Sequence, residues 1–187
     1  HQHVPNFYTF DDHELLNDIY GTNEIGLVNR RAVFRDPGVK AWHDYAGWAN
    51  PMEHNADAYF GRGKFKKGSD VLYDPKANFT SMNMEDHSTL HIHWGKGQDG
   101  TLDMALDVAH PGNPNSAVYG VVDVIDEHRL KITPAAEATN EGTYSIGRRS
   151  YGSFKVANCE YFILQTRPHR SLHVLSDPWK KDATILG

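Results

Sequence analysis

Turn-forming residues recur along this chain at short intervals, and their spacing limits what the chain can fold into. Clusters of Gly, Pro, Asn and Asp occur, for example, at Asp36-Pro37-Gly38, Asp74-Pro75 and Asn140-Glu141-Gly142. The runs between such clusters are short and rich in β-branched and aromatic residues. Many short strands joined by turns are typical of a β-sandwich or a β-barrel. The pattern therefore predicts an all-β fold.

The clearest strand pattern lies in two neighbouring runs, 88–94 and 101–109, which alternate apolar and polar residues with period two. If the Gly-rich stretch between them closes a hairpin, the aliphatic side chains share one face, and His91 and His93 share the other. A shift of register by one residue exchanges the two faces. The sequence therefore leaves open which face lines the interior.

The remaining elements are predicted from shorter patterns. One short N-terminal helix is predicted at Phe10–Tyr20, where an acidic start precedes Gly21 as a stop. Further strands are predicted at 59–65, 79–84, 117–125, 130–133, 153–166 and 172–175. We see no internal repeat and no long linker in the 187 residues, so we expect 1–187 to form a single β-barrel domain.

Charge and hydropathy argue against two classes of partner. The 19 Lys and Arg residues are outnumbered by 24 Asp and Glu residues, and the basic residues form no stripe that would follow a phosphate backbone. The longest apolar runs are far shorter than the roughly 20 residues that cross a bilayer. We therefore expect a small-molecule ligand or substrate rather than nucleic acid or membrane.

Three features favour a secreted or periplasmic protein. Asn78-Phe79-Thr80 matches the acceptor motif for N-glycosylation, the polar residues include many Asn and Gly, and the chain begins at His1 without a Met. The single Cys159 excludes an internal disulfide and leaves the compartment open.

Two segments near the end of the chain resemble the last strands of lipocalins, which are calycin-type eight-stranded barrels. Residues 152–165 are similar to the first of these strands, and Arg170-Ser171-Leu172-His173-Val174-Leu175-Ser176 is similar to the aliphatic-Leu-Ser phrase of the second. Asp177 stands where the barrel-closing Arg of the family would fall. The resemblance implies a single antiparallel lipocalin-like β-barrel with a ligand cavity in its mouth and no fixed catalytic residues.

The first functional hypothesis follows from this fold. It is a secreted lipocalin-like protein that binds a small apolar or aromatic ligand in the barrel cavity. The inward side chains expected to line the cavity are those of Leu90, Ile92, Trp94, Met104, Leu106, Tyr119 and Phe154.

The sequence leaves the cofactor unknown, and the candidate is a divalent metal, Zn or Cu, because the chain contains twelve histidines. His91 and His93 leave the same face of a strand and can chelate one ion, and Asp103 across the hairpin would add a carboxylate. The phrase from His91 to Gly95 is also similar to the His-x-His-Trp-Gly strand of α-type carbonic anhydrases. The alternative interpretation is that these histidines form the solvated side of a hairpin.

The second functional hypothesis is a His-dependent, metal-assisted or metal-free lyase, isomerase or hydratase that acts on a small molecule within the barrel. The candidate catalytic residues are His43, Asp44 and Tyr45, because a neighbouring carboxylate can polarise a histidine for acid–base work. The alternative is that the aromatic residues around them pack over one end of the barrel.

Overall fold

The computed structural model of the chain describes residues 8–9, 24–28, 30–33, 35–47, 58–82, 84, 89–93, 113–147 and 152–164. Within these ranges the strands are β1 (Tyr59–Phe65), β2 (Val71–Tyr73), β3 (Thr89–Ile92), β4 (Val118–Asp126), β5 (Arg129–Thr133), β6 (Asn140–Ile146), β7 (Gly152–Val156) and β8 (Cys159–Ile163). The helical elements are α1 (Arg30–Val33), α2 (Arg35–Trp42), a π-helical turn (His43–Gly47) and a 3₁₀ turn (Phe79–Ser81).

Six of the strands close into an antiparallel barrel in the order β1-β2-β5-β4-β3-β6, and β7 and β8 form a separate two-stranded sheet. The predicted all-β barrel with a short helix is therefore confirmed. Three pairs of barrel neighbours, β2 with β5, β3 with β6 and β1 with β6, are not adjacent in the sequence. Lipocalins, in contrast, are eight-stranded up-and-down barrels.

Large apolar side chains fill the inside of the barrel. Eight of them are at most 1% exposed: Leu72, Leu90, Ile92, Tyr119, Leu130, Ile132, Tyr144 and Ile146. Full burial of one such side chain stabilises a fold by about 1.5–3 kcal/mol. These contacts make the barrel interior the hydrophobic core of the described residues.

The predicted hairpin between residues 88–94 and 101–109 is wrong along β3. Leu90 lies opposite Tyr119 of β4 on one side and opposite Ile146 of β6 on the other. Both edges of β3 are therefore taken by strands distant in sequence, and the segment 101–109 lies outside the described residues. Alternation within a strand shows which side chains share a face, but it does not show which strand comes next.

The other strand predictions differ in outcome. The strand at 59–65 is confirmed as β1, those at 117–125 and 130–133 are confirmed within one residue, and 153–166 is a hairpin that turns at Ala157. The strand predicted at 79–84 is wrong. In its place the hydroxyl groups of Thr80 and Ser81 bond to Asn78, and this local bonding favours a 3₁₀ turn.

Two segments that look like turns in the sequence are regular structure. Asn140-Glu141-Gly142 begins β6, and Asp36-Pro37-Gly38 lies in the first turn of α2. Pro is tolerated there because the first N–H groups of a helix have no intrahelical acceptor.

The helix predicted at Phe10–Tyr20 and the strand predicted at 172–175 lie outside the described residues. No helix in the described part of the chain has the length and apolarity needed to cross a bilayer.

Candidate functional site

His91 of β3 and His93, which directly follows β3, project from the outside of the barrel wall. Leu90 and Ile92 point into the core, so His91 and His93 point outwards. Ser145 of β6 lies directly opposite His91 and therefore shares this outer face.

Asp36 of α2 connects the helix to this face of the barrel. Its Oδ2 accepts a hydrogen bond from Ser145 Oγ at 2.7 Å and lies 2.8 Å from His91 Nδ1. Its Oδ1 accepts a bond from Arg35 Nη1 at 2.8 Å. The side chains of Asp36 and His91 are fully buried. The three donors on a single carboxylate make this network a buried polar anchor between α2, β3 and β6.

The carboxyl group of Asp36 is ionised at neutral pH. Burial by itself would raise its pKa, but the charge and hydrogen bond of His91 act in the opposite direction. The charge of Arg35 and the hydrogen bond from Ser145 add to this effect, so the pKa of Asp36 lies well below its usual value. Because an ionised carboxylate only accepts hydrogen bonds, His91 Nδ1 must carry the proton that it shares with Asp36.

His93 continues the network on the other side of Ser145. Its Nε2 lies 3.0 Å from Ser145 Oγ, and its ring is stacked on that of Phe60 with 6.3 Å between the ring centroids. Burial lowers the pKa of His93 to about 3; the charge of Asp36 opposes this shift, and His91 adds a smaller lowering. His93 is therefore neutral at neutral pH. Its Nδ1 is buried and has no hydrogen-bond partner among the described residues.

The polar face of β3 is neither solvated nor part of the barrel interior. His91 is 0% exposed and His93 is 2% exposed, because this face is covered on the outside of the barrel. The interpretation of these histidines as the solvated side of a hairpin is therefore wrong. Alternation along β3 could not show that a helix carrying Asp36 packs over it.

The metal site formed by His91, His93 and Asp103 stays a prediction. Asp103 lies outside the described residues, and among the described ones no group of three His, Cys, Asp or Glu could hold a metal ion. One ring nitrogen of each histidine is already bonded, His91 Nδ1 to Asp36 and His93 Nε2 to Ser145.

The predicted catalytic group lies in the π-helical turn that follows α2. His43 Nδ1 is 3.9 Å from Asp44 Oδ1, which is longer than a hydrogen bond. Lys40 Nζ lies 2.9 Å from Asp44 Oδ2, and its hydrogen bond lowers the pKa of Asp44. Tyr45 is 87% exposed. The structure thus places the three residues next to one another on a solvent-exposed turn, and the enzyme hypothesis stays a prediction.

The residues predicted to line a ligand cavity are distributed over different parts of the chain. Leu90, Ile92 and Tyr119 lie in the core of the barrel. Phe154 lies in β7 of the two-stranded sheet, where its ring stacks on Tyr161 at a centroid distance of 5.2 Å. Trp94, Met104 and Leu106 lie outside the described residues.

A polar group inside the barrel was not predicted. Tyr144 Oη donates a hydrogen bond of 2.8 Å to Asp74 Oδ2, and the backbone N–H of Lys76 donates one of 2.9 Å to Oδ1. Asp74 is only 2% exposed. The sequence suggested a simple turn at Asp74-Pro75. Tyr144 belongs to β6, which was not predicted because its first residues are typical of a turn. A Tyr in an alternating run was the only signal available.

Aromatic rings surround this polar group at one end of the barrel. The ring centroid of Tyr59 is 6.3 Å from that of Phe79 and 6.0 Å from that of Tyr144. The backbone N–H of Phe79 donates to the carbonyl of Glu127 at 2.8 Å, which ties the 3₁₀ turn to the connection between β4 and β5. We call this region the Phe79 end. It consists of Asp74, Tyr144, Tyr59 and Phe79, together with the partly buried side chains that pack against the same core cluster, Met82, Met84, Val121 and Val124.

Burial and charge keep both tyrosines at the Phe79 end neutral. Burial raises the pKa of Tyr59 and of Tyr144, and the negative charge of Asp74 raises both further. Their hydroxyl groups therefore remain hydrogen-bond donors. The backbone of β1 also comes very close, since a Cβ at Gly61 would lie 2.6 Å from Asp74 Oδ2 and 2.6 Å from Tyr144 Oη.

Comparisons with protein family models, with curated proteins and with solved structures each find no significant match. The class of this protein is therefore defined by its fold, a closed six-stranded antiparallel β-barrel.

Proposed function

We propose that this protein binds a small apolar or aromatic molecule that carries one hydrogen-bond donor, and that the ligand lies at the Phe79 end of the barrel. The observation that carries the proposal is the carboxylate of Asp74, which is 2% exposed beside an aromatic and aliphatic wall. Small-molecule sites are mostly apolar with a few polar groups that orient the ligand.

The apolar part of the site is accessible. Tyr59, Met82, Met84, Val121 and Val124 pack against the core but are only partly buried. Methionine side chains are unbranched and adapt to ligands of irregular shape. The ligand therefore has a wall to pack against without displacing the fully buried side chains deeper in the barrel.

The polar part of the site can accept one more hydrogen bond. A carboxylate offers about four acceptor positions. Tyr144 and the N–H of Lys76 occupy two of them, and the Tyr59 hydroxyl also interacts with Asp74. At least one position is left for a hydroxyl or amine of the ligand.

This mode of binding is similar to that of a lipocalin, which holds its ligand in the mouth of a barrel. The closed barrel supports the likeness, and the packed core favours a ligand at the end of the barrel over one in a deep cup. The proposal rests on the barrel and on Asp74.

The protein works in a secreted or periplasmic setting. Asn78 and Thr80, the ends of the glycosylation motif, are both exposed. If the chain is expressed through a eukaryotic secretory pathway, peptide N-glycosidase should change the mobility of the wild-type protein but not of the Asn78→Gln variant. An unchanged wild-type mobility would remove this support.

The binding proposal is tested with two matched probes, 2-naphthol and 2-methoxynaphthalene, which differ only in the hydrogen-bond donor. A hydrogen bond to a charged acceptor contributes about 1.5–3 kcal/mol. We therefore expect 2-naphthol to bind roughly 10-fold or more tightly in isothermal titration calorimetry. Asp74→Asn should remove most of this preference, whereas Asp70→Asn, an exposed carboxylate paired with Lys131, should keep it.

A second measurement locates the ligand even if Asp74→Asn does not fold. In the wild-type protein, 2-naphthol should shift the methyl NMR signals of Met82 and Met84. Equal affinity for the two probes, or methionine signals that do not move, would contradict the proposal.

A further inference from the structure

We infer that the outer face of the barrel carries a second site, in which His93 and Thr143 bind a hydroxyl group of a small polyol. The site is separate from the Phe79 end. His93 projects from the outside of the wall, whereas Tyr144, the neighbour of Thr143 in sequence, points into the core.

The protons of the Asp36–Ser145–His93 network determine which ring nitrogen of His93 is unprotonated. The ionised Asp36 has no proton to give, so Ser145 donates its only hydroxyl proton to Asp36 Oδ2. Ser145 Oγ must then accept its second bond, and the proton comes from His93 Nε2. A neutral imidazole carries one N–H, so Nδ1 of His93 has a bare lone pair that can only accept.

Thr143 presents a second buried polar atom on the strand beside His93. The backbone N–H of His93 donates to the carbonyl of Thr143 at 3.0 Å, so the two residues are cross-strand neighbours of β3 and β6. Thr143 Oγ1 is buried and, like His93 Nδ1, has no hydrogen-bond partner within the part of the chain that the structure describes. Buried polar atoms in native proteins are normally paired, and an unpaired one is destabilising.

The two atoms are complementary to one chemical group. A hydroxyl group can donate its proton to His93 Nδ1 and accept a proton from Thr143 Oγ1. A carboxylate or a fully ionised phosphate monoester has no proton for Nδ1, and an ammonium group cannot accept a bond from Thr143. A neutral hydroxyl therefore satisfies both atoms at once.

The surroundings favour a polyol over other ligands with a hydroxyl group. Phe60 lies against the His93 ring and is only partly buried, so it offers an apolar surface to a sugar ring. Arg62, opposite Thr143 on β1, and Lys64 lie 3.6 Å and 3.5 Å from the carboxylate of Glu141. This rim contains both signs of charge and many hydrogen-bonding groups, which suits a neutral ligand with several hydroxyls.

The test observes the bare nitrogen directly by ¹⁵N NMR of the histidine rings. Methyl β-D-glucopyranoside is titrated into the protein, and its fully O-methylated analogue, which has no hydroxyl proton, serves as the control ligand. We expect a saturable upfield shift of His93 Nδ1 with the glucoside and none with the analogue. In Thr143→Val, which preserves the side-chain shape, the affinity should fall at least fivefold. In Thr89→Val, on the same outer face of β3, it should not change.

Two results would overturn the inference. If His93 Nδ1 already has the resonance of a hydrogen-bonded nitrogen without the glucoside, the two atoms hold a water molecule. If the resonance does not respond to the glucoside, or responds equally to the O-methylated analogue, no hydroxyl of a polyol binds there.

Discussion

Replacing Asp36 by Asn should destabilise the protein severely, because one carboxylate anchors α2 to the barrel. Asp36 accepts bonds from Arg35 at Oδ1 and from His91 and Ser145 at Oδ2. An Asn side chain has one oxygen and one NH₂ group, and the NH₂ group cannot accept. If the NH₂ group faces Arg35, two buried donors meet, because a guanidinium cannot accept. If it faces His91 and Ser145, both of these must exchange their donor roles for acceptor roles, and Arg35 still loses its ionic partner.

The magnitude follows from the charges involved. Arg35 would lose its ionic partner at a side chain that is only 4% exposed. Removing one partner of a buried ion pair costs about 3–5 kcal/mol. Because the total free energy of unfolding of a domain is about 5–15 kcal/mol, the variant should lose a large part of its stability.

The assay is urea denaturation at pH 7 followed by circular dichroism, with Asp44→Asn as the matched control. Asp44 is also a carboxylate at a helical element, but its partner Lys40 is exposed, and we expect no measurable change in the control. If Asp36→Asn lowers the free energy of unfolding by less than about 1 kcal/mol, the anchor role of Asp36 is refuted.

Two further predictions concern His93 and Gly61. The pKa of His93 is about 3 in the folded protein against 6.5 in the unfolded chain, so below pH 6.5 protons bind preferentially to the unfolded chain and stability falls. The free energy of unfolding, measured in urea titrations, should decrease by about 1.4 kcal/mol per pH unit between pH 6.5 and 4.5. The His93→Gln variant should show a smaller slope. Equal slopes in the two proteins would contradict the burial of a neutral imidazole. Gly61→Ala should lower the free energy of unfolding by about 1–3 kcal/mol, because its Cβ would overlap Asp74 and Tyr144. A thermal midpoint equal to that of the wild type would show that this close approach is absent.

Much of the barrel could be predicted from local patterns. Alternation along residues 88–94 separates Leu90 and Ile92 from His91 and His93, and the structure confirms that these pairs lie on opposite faces of β3. Period-two alternation follows from the geometry of an extended chain, so it needs no knowledge of the partner strand.

Other strands could not be predicted because their residues have weak β-propensity. β6 begins with Asn140, Glu141 and Gly142, which are common in turns. They form a strand because β6 lies between β1 and β3, and both neighbours supply backbone hydrogen bonds. Tertiary pairing here overrides the local preference.

The candidate sites depended even more on distant contacts. His91 meets Asp36 across 55 positions of the chain, and Ser145 meets it across 109. Asp74 and Tyr144, which define the Phe79 end, are 70 positions apart. No local sequence pattern shows that residues so far apart in the chain are in contact.

By itself, the sequence determined the fold class of this protein, because turn residues and side-chain alternation act over a few neighbouring residues. It also determined which side chains of β3 share a face. Only the tertiary structure decided which strands flank β3, that Asp36 of α2 packs against His91, and that the carboxylate of Asp74 lies beside the core. These outcomes depend on the packing of segments far apart in the chain, where the free energy of burial outweighs local preference.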